Sequence, residues 1–253
     1  MRILLAAPIV ALIGALSLAA APVATAKVPP AVAKALADPA RSQAARDADA
    51  SRLPGETLAF VGVKPGMTVI ELYPGGGYFT RPLSELVGDK GRVVAVETTR
   101  WKGGVEADQK TIASLPRKNV TLEALPFGAL PEKAPPADVF WITQNYHDLK
   151  IAEYGDVDMA AFNKRVFAML KPGGTYFILD HQGNGTLTAA EIAKLHRIDK
   201  ATVIREVEAA GFKLAAEGNF LRRPADDHTA GIFDKAIQGK TDQYALKFVK
   251  PKA

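Results

Sequence analysis

Residues 68 to 80 read TVIELYPGGGYFT, and this stretch decides the class of fold. Apolar and β-branched residues around Glu71 predict a buried strand that carries an acid near its end. The three glycines that follow, Gly75, Gly76 and Gly77, let the backbone turn sharply and approach a ligand without a Cβ in the way. The stretch therefore predicts a strand, a ligand-binding loop and the start of a helix near residue 79.

A second strand, RVVAVE at residues 92 to 97, also ends in an acid. Glu97 follows Gly75 by 22 residues, which is about where α/β folds place a ribose-binding carboxylate. The dinucleotide pattern asks for Gly or Ala at a third position, which Thr80 occupies here, so NAD is disfavoured. The alternatives are a strand-to-helix turn without a ligand and, for Glu97, a surface carboxylate that closes a strand.

The rest of the chain alternates between strand and helix patterns. Further strands are expected at 119–123, 138–142 and 174–180, and helices near 79–87, 104–114 and 158–170. Such alternation predicts an α/β fold with a doubly wound, mainly parallel sheet in one domain. Near the C-terminus we expect a helix at 200–210, with Asp199 as its N-cap, and two last strands at 212–221 and 243–250.

The first 26 residues have the features of a signal peptide. Arg2 precedes a long uncharged apolar stretch, and Ala24-Thr25-Ala26 before Lys27 suits signal peptidase. We expect cleavage there, export to the periplasm and no stable membrane insertion afterwards; an uncleaved membrane anchor is the alternative. Residues 27–50 are expected to form a leader that is partly helical or mobile, and residues 51–253 the main domain.

The composition limits the partners of the chain. There is no cysteine, so neither a disulfide nor a lipid-modified cysteine is possible. The net charge is only +5, and the basic residues are scattered among acids without a Lys/Arg run. Nucleic-acid binding is therefore not indicated, and a small molecule is the expected partner.

Polar side chains follow the fourth and fifth predicted strands, at the edge where ligands of open α/β sheets bind. Asn145, His147 and Asp148 follow the fourth strand, and His181 follows the fifth. If neighbouring strands lie about 4.8 Å apart, His147 and His181 face one cleft roughly 5 to 10 Å apart. His147 is the candidate general base, oriented by Asp148, and a histidine that pins a loop is the alternative. His181 is expected to bind the substrate.

A metal site at this edge is the competing interpretation. If the sixth strand is parallel to the others, all four histidines share the edge with two acids, and the suitable ligand types are His147, His181, His196, His228, Asp180 and Asp227. None of them shows the three- or four-residue spacing of helical metal ligands. We therefore expect no metal.

The loop at residues 71–77 resembles motif I of the class I S-adenosylmethionine (SAM) dependent methyltransferases, an acid followed by Gly-x-Gly-x-Gly. Tyr73 stands where the first glycine of that motif is usual. Further segments (NYHDL, HRID, RPADDH and GKTD) resemble the exported, predicted methyltransferases of Gram-negative bacteria. The resemblance covers roughly residues 51 to 250 and implies a Rossmann-like, seven-stranded sheet whose last strand is reversed.

The same resemblance implies SAM as the cofactor. Its expected contacts are Glu71, Tyr73, Gly75, Gly76, Gly77, Glu97, Phe127 and Asn145. Phe127 would form an apolar wall for the adenine, with a role in the core as the alternative. The implied activity is methyl transfer to an unknown small molecule. Because SAM is made in the cytosol, a non-catalytic periplasmic binding protein on the same fold is the alternative function.

Overall fold

The computed structural model describes residues 28–252 and contains one seven-stranded sheet in the order β3-β2-β1-β4-β5-β7-β6. The strands are β1 (Thr68–Leu72), β2 (Arg92–Thr98), β3 (Val120–Leu125), β4 (Ala137–Thr143), β5 (Leu170–His181), β6 (Lys213–Gly218) and β7 (Gln243–Val249). β7 is antiparallel to both of its neighbours, and the pairs among β1 to β5 are parallel. The predicted doubly wound sheet with a reversed last strand is confirmed.

Helices cover both faces of the sheet. They are α1 (Pro30–Leu36), α2 (Gln43–Arg52), α3 (Pro54–Val61), α4 (Thr80–Val87), α5 (Lys102–Ala113), α6 (Met159–Met169), α7 (Ala189–Leu195) and α8 (Lys200–Ala209), with a 3₁₀ turn at Asp148–Lys150. Alternate residues of β1 enter two separate cores: Ile70 packs with residues of α6 and α8, and Val69 with residues of α1, α3 and α4. Period-two alternation of a strand buried on both faces explains this division.

The strand and helix boundaries differ from the predictions by a few residues at most places, and two differences are larger. β5 starts at Leu170, directly after α6, and the register shift between Ala137 and Val139 accommodates the Lys171–Gly174 turn within the strand. β6 ends at Gly218 instead of residue 221. The ring of Phe220 folds back there, with an atom 2.5 Å from where a Cβ on Gly218 would lie.

The segment predicted as a leader contains α1 and most of α2. Val32 and Ala35 of α1 are buried in the core that also contains residues of α3 and α4. The predicted signal peptide and its cleavage site lie outside the described residues. Within residues 28–252, no helix is long and apolar enough to cross a membrane.

Candidate active site

A cavity of about 410 Å³ opens where β1, β4 and β5 end. Six of the predicted site residues line this cavity: Tyr73, Gly75, Asn145, His147, Asp148 and His181. The structure therefore brings the first part of the glycine loop and the polar residues after β4 and β5 around one space. The carboxyl ends of parallel strands meet at one edge of the sheet, which is why the motifs converge.

The glycine loop runs through the left-handed backbone region. Tyr73, Gly75, Gly76 and Gly77 have φ values of 52°, 59°, 93° and 82°. Gly77 packs so closely on α5 that a Cβ there would lie 2.6 Å from the side chain of Thr111. Gly75 lines the main cavity, whereas Gly76 and Gly77 line a second one of about 340 Å³ on the other side of the loop.

Glu71 lies beneath this loop and does not line the cavity. Its carboxyl group is buried and accepts a 2.6 Å hydrogen bond from the hydroxyl of Thr80, the first residue of α4. Burial raises the pKa of Glu71 to about 8. Its direct role in this structure is to connect β1 to the start of α4.

Glu97 holds the loop from β2. Its carboxylate accepts hydrogen bonds from the backbone N–H groups of Gly75 (3.3 Å) and Thr98 (2.6 Å), and its side chain is buried. Asp108 of α5 accepts from the N–H of Gly76 at 2.8 Å. Burial, and then the charge of Glu97, raises the pKa of Asp108 to about 7. Sequence reasoning missed Asp108 because no strand end or motif marks this position within a helix.

Tyr73, which replaces the usual glycine, belongs to an aromatic cluster. Its ring stacks on Phe127 with centroids 5.3 Å apart, and its hydroxyl accepts a 2.7 Å hydrogen bond from the N–H of Gly128. Trp101 contacts both of these rings edge-on, and Tyr154 contacts the ring of Phe127 edge-on. Phe127 is thus packed against Tyr73 and does not itself line the main cavity.

His147 is held by a buried carboxylate behind it. Asp180, fully buried at the end of β5, accepts from the His147 backbone N–H at 2.9 Å and lies 2.7 Å from His147 Nδ1. The Nε2 atom of the same ring lies 3.2 Å from Asp148 Oδ1. Burial opposes a charge on the ring, but Asp180 and Asp148 outweigh it and raise the pKa of His147 to about 10.

Asp148 contacts the imidazole rings of His147 and His196 and the side-chain amide of Asn145. Its Oδ1 lies 3.2 Å from both His147 Nε2 and His196 Nδ1, and its Oδ2 accepts from the Asn145 amide at 2.9 Å. Burial opposes ionisation of Asp148, but the hydrogen bonds from the two histidines outweigh it and lower its pKa. Asn145 therefore orients Asp148.

His181 faces the same cavity as His147, and their ring centroids are 6.0 Å apart, within the predicted range. Its Nδ1 lies 2.8 Å from the hydroxyl of Thr241. Burial, and then the charge of His147, lowers the pKa of His181 well below its ordinary value, so the ring is neutral at physiological pH. The roles assigned to both histidines stay predictions.

His228 lies at the same edge of the sheet, beside the residue that precedes β7, but it does not line the main cavity. Its Nε2 lies 3.1 Å from the buried Asp242, and Asp227 is exposed and binds Thr229. The loop between β6 and β7 is folded back by Arg197, a fully buried guanidinium that pairs with Asp226. The HRID, RPADDH and GKTD motifs thus include residues that fix this loop.

Sequence reasoning missed several residues that complete the cavity. Arg52, at the end of α2, lines it and donates to the Gln144 side chain at 3.1 Å. Burial lowers the pKa of Arg52, and within residues 28–252 it forms no ion pair. Trp101, Tyr154 and Phe233 add aromatic surface, and Phe233 is 63% exposed. No local motif marks these positions, because the tertiary fold brings them together.

Sheet order, reversed last strand and the acid-glycine loop together define the fold of the class I SAM-dependent methyltransferases. A SAM-dependent methyltransferase from Aquifex aeolicus superposes with a TM-score of 0.58 at 20% identity, covering 81% of this chain and 95% of that one. The [4+2]-cyclase SpnF superposes with a TM-score of 0.56 at 16% identity, covering 81% and 82%. The predicted fold is confirmed by these likenesses.

The half of the chain that carries the glycine loop is similar in sequence to methyltransferases. The family model of protein-L-isoaspartate(D-aspartate) O-methyltransferase matches residues 37–133. The ubiquinone/menaquinone biosynthesis C-methyltransferase UbiE of Shewanella sediminis is 30% identical over 133 residues, which cover 49% of this chain and 46% of that protein. The chain thus spans about half the length of the curated relatives it matches.

Proposed function

We propose that this protein is a SAM-dependent methyltransferase that acts on a small molecule. The observation that carries the proposal is the cavity of about 410 Å³ at the edge of the sheet. Its lining combines the start of the glycine loop, which Glu97 holds through Gly75, with His147 and His181 from the segments after β4 and β5. A cofactor that lies over the loop would direct its methyl group at these histidines.

The ribose of SAM would bind Glu97, and the methionine end would reach the cavity past Gly75. Glu97 is only 1% exposed, and a Cβ on Gly104 would lie 3.2 Å from its carboxylate, so the first turn of α5 covers it. Binding in this mode therefore requires that turn to shift. Arg52 is a suitable partner for the methionine carboxylate, because its guanidinium faces the cavity without an ion pair among the described residues.

The reaction would be an in-line displacement in which the acceptor nucleophile attacks the methyl carbon and S-adenosylhomocysteine (SAH) leaves. Such a reaction depends on positioning and exclusion of water. His147 is the candidate base for the acceptor proton. With a pKa raised to about 10 the ring holds a proton at neutral pH, so it can act as a base only after it has lost that proton.

The relatives support an enzyme over the binding-protein alternative. The UbiE proteins matched by sequence are C-methyltransferases. The aromatic surface of the cavity, from Trp101, Tyr154 and Phe233, favours an acceptor with a flat or apolar body. The acceptor atom, whether oxygen, nitrogen or carbon, is left open.

Glu97→Ala is expected to weaken SAM binding at least tenfold. The carboxylate would lose charge-assisted hydrogen bonds to the ribose, each worth roughly 1.5 to 3 kcal/mol. Calorimetric titration with SAM and with SAH measures the change, and circular dichroism checks the fold. Glu106→Ala removes an exposed acid from α5, the helix that covers Glu97, and is the matched control. Failure of the wild type to bind at millimolar SAM, or equal affinity of Glu97→Ala, contradicts the assignment.

We also propose that the protein is exported to the periplasm and cleaved after Ala26. The support is the Ala-Thr-Ala sequence that follows an uncharged apolar stretch. Intact-mass measurement on the periplasmic fraction of expressing cells is expected to give a chain that begins at Lys27. A chain beginning at Met1 in the cytosol would refute export, and would also remove the question of how SAM reaches the enzyme.

A further inference from the structure

We propose that His147, Asp148 and His196 bind a divalent first-row transition metal ion at the wall of the main cavity. Three donor atoms, His147 Nε2, Asp148 Oδ1 and His196 Nδ1, all lie within 4.8 Å of one another. All three residues line the cavity. The proposal concerns metal binding by these side chains and stands whether or not the chain transfers methyl groups.

The distances within the cluster match the separation of ligands that are bound to one metal ion. Both imidazole nitrogens lie 3.2 Å from Asp148 Oδ1. Ligands bonded at about 2.0 to 2.2 Å to one metal ion are separated by roughly 3.0 to 3.6 Å. The contact between His147 Nδ1 and Asp180 is shorter, at 2.7 Å, as expected of a charge-assisted N–H···O bond.

The residues behind the cluster orient it as they do in metal sites. Asp180 accepts from the backbone N–H groups of His147 and His181, so its carboxylate is fixed before it meets His147 Nδ1. A proton on Nδ1 then points at Asp180, and Nε2 faces Asp148, where a metal ion would replace the second proton of the ring. Carboxylate–histidine–metal arrangements of this kind are usual around bound zinc. Two acceptors that face each other at 3.2 Å require a cation or a proton between them.

His196 reaches the cluster from a part of the chain far from His147 and Asp148. It ends α7 with φ of 52°, in the left-handed region where glycine or asparagine is usual. His147 and Asp148 follow β4, whereas His196 comes from the end of α7, so no helical spacing in the sequence signals the cluster.

Two imidazoles and one carboxylate suit zinc, iron, cobalt or nickel better than magnesium or calcium. Three protein ligands leave further coordination positions open toward the cavity, as in catalytic metal sites. If the methyltransferase function proposed above holds, an oxygen of the acceptor can occupy such a position. The metal would then take the place of the proton on His147.

The test is direct metal binding by the untagged full chain after treatment with a chelator. We expect one equivalent of Zn²⁺ to bind, measured by calorimetry and by elemental analysis after gel filtration. Co²⁺ in place of Zn²⁺ is expected to give visible absorption bands from nitrogen and oxygen coordination. His196→Gln is expected to weaken Zn²⁺ binding at least tenfold and to remove the Co²⁺ bands.

His228→Gln is the matched control, because it removes one histidine outside the cluster, and its Zn²⁺ affinity is expected to stay within about threefold of wild type. Thermal unfolding of both variants shows whether they fold. A second ligand variant, Asp148→Asn, serves if His196→Gln is unstable. Absence of stoichiometric Zn²⁺ and Co²⁺ binding to the wild type, or equal affinity of folded His196→Gln and His228→Gln, would overturn the proposal. SAM titration of the same samples tests the proposed function separately.

Discussion

Replacing His147 with alanine is expected to lower turnover by about a hundredfold or more and to leave SAM affinity within a few fold of wild type. Removal of a general base typically costs about 10²- to 10⁴-fold in rate. If His147 is instead a metal ligand beside the acceptor, its loss would slow the same methyl-transfer step. The hydrogen bonds of His147 go to Asp180 and Asp148 and not to the glycine loop or Glu97, so the expected cofactor contacts are not directly affected.

The rate is measured as SAH formed with small-molecule extracts or candidate aromatic acceptors, and the affinity by calorimetry. His228→Ala is the control, since this histidine contacts Asp242 and does not line the cavity. A His147→Ala variant that folds and keeps more than a tenth of the wild-type rate would exclude both roles. Chelator treatment separates them: it lowers the wild-type rate to that of the variant if His147 is a ligand, and leaves it unchanged if His147 is only a base.

Asp226→Ala is expected to lower the free energy of unfolding by about 3 to 5 kcal/mol, because it leaves a buried guanidinium without its partner. The Arg197 side chain is fully buried, and its two terminal nitrogens lie 2.9 and 3.0 Å from the two Asp226 oxygens. Asp226 also accepts from the backbone N–H of Asp242. The variant therefore loses the main connection between the loop before β7 and the start of α8.

Urea unfolding followed by circular dichroism measures this loss. The neighbouring Asp227 is exposed, and within residues 28–252 its side chain accepts hydrogen bonds only from Thr229. Asp227→Ala is therefore expected to lower the free energy of unfolding by less than about 1 kcal/mol. The two variants remove the same group one residue apart. Equal destabilisation by both would show that the Arg197–Asp226 pair does not hold the loop.

Local patterns in the sequence determined the fold. Apolar runs of strand length, helical periodicity and glycine or proline at their ends depend on neighbouring residues only, and they predicted the alternating strands and helices of a mainly parallel sheet. The reversed last strand was implied by the resemblance to the class I methyltransferases. The glycine loop, Glu97 and the pairing of His147 with His181 across adjacent strands were also predictable. Their positions follow from one rule, since parallel strands bring their carboxyl ends to the same edge.

Only the tertiary structure decided which side chains complete the site. Asp108 reaches Gly76 from within α5, and Arg52 reaches the cavity from α2. His196 joins Asp148, whereas His228 turns away to Asp242. These placements depend on how loops far apart in the sequence are packed and paired, as Arg197 with Asp226 shows, and side-chain spacing along the chain carries no information about such contacts.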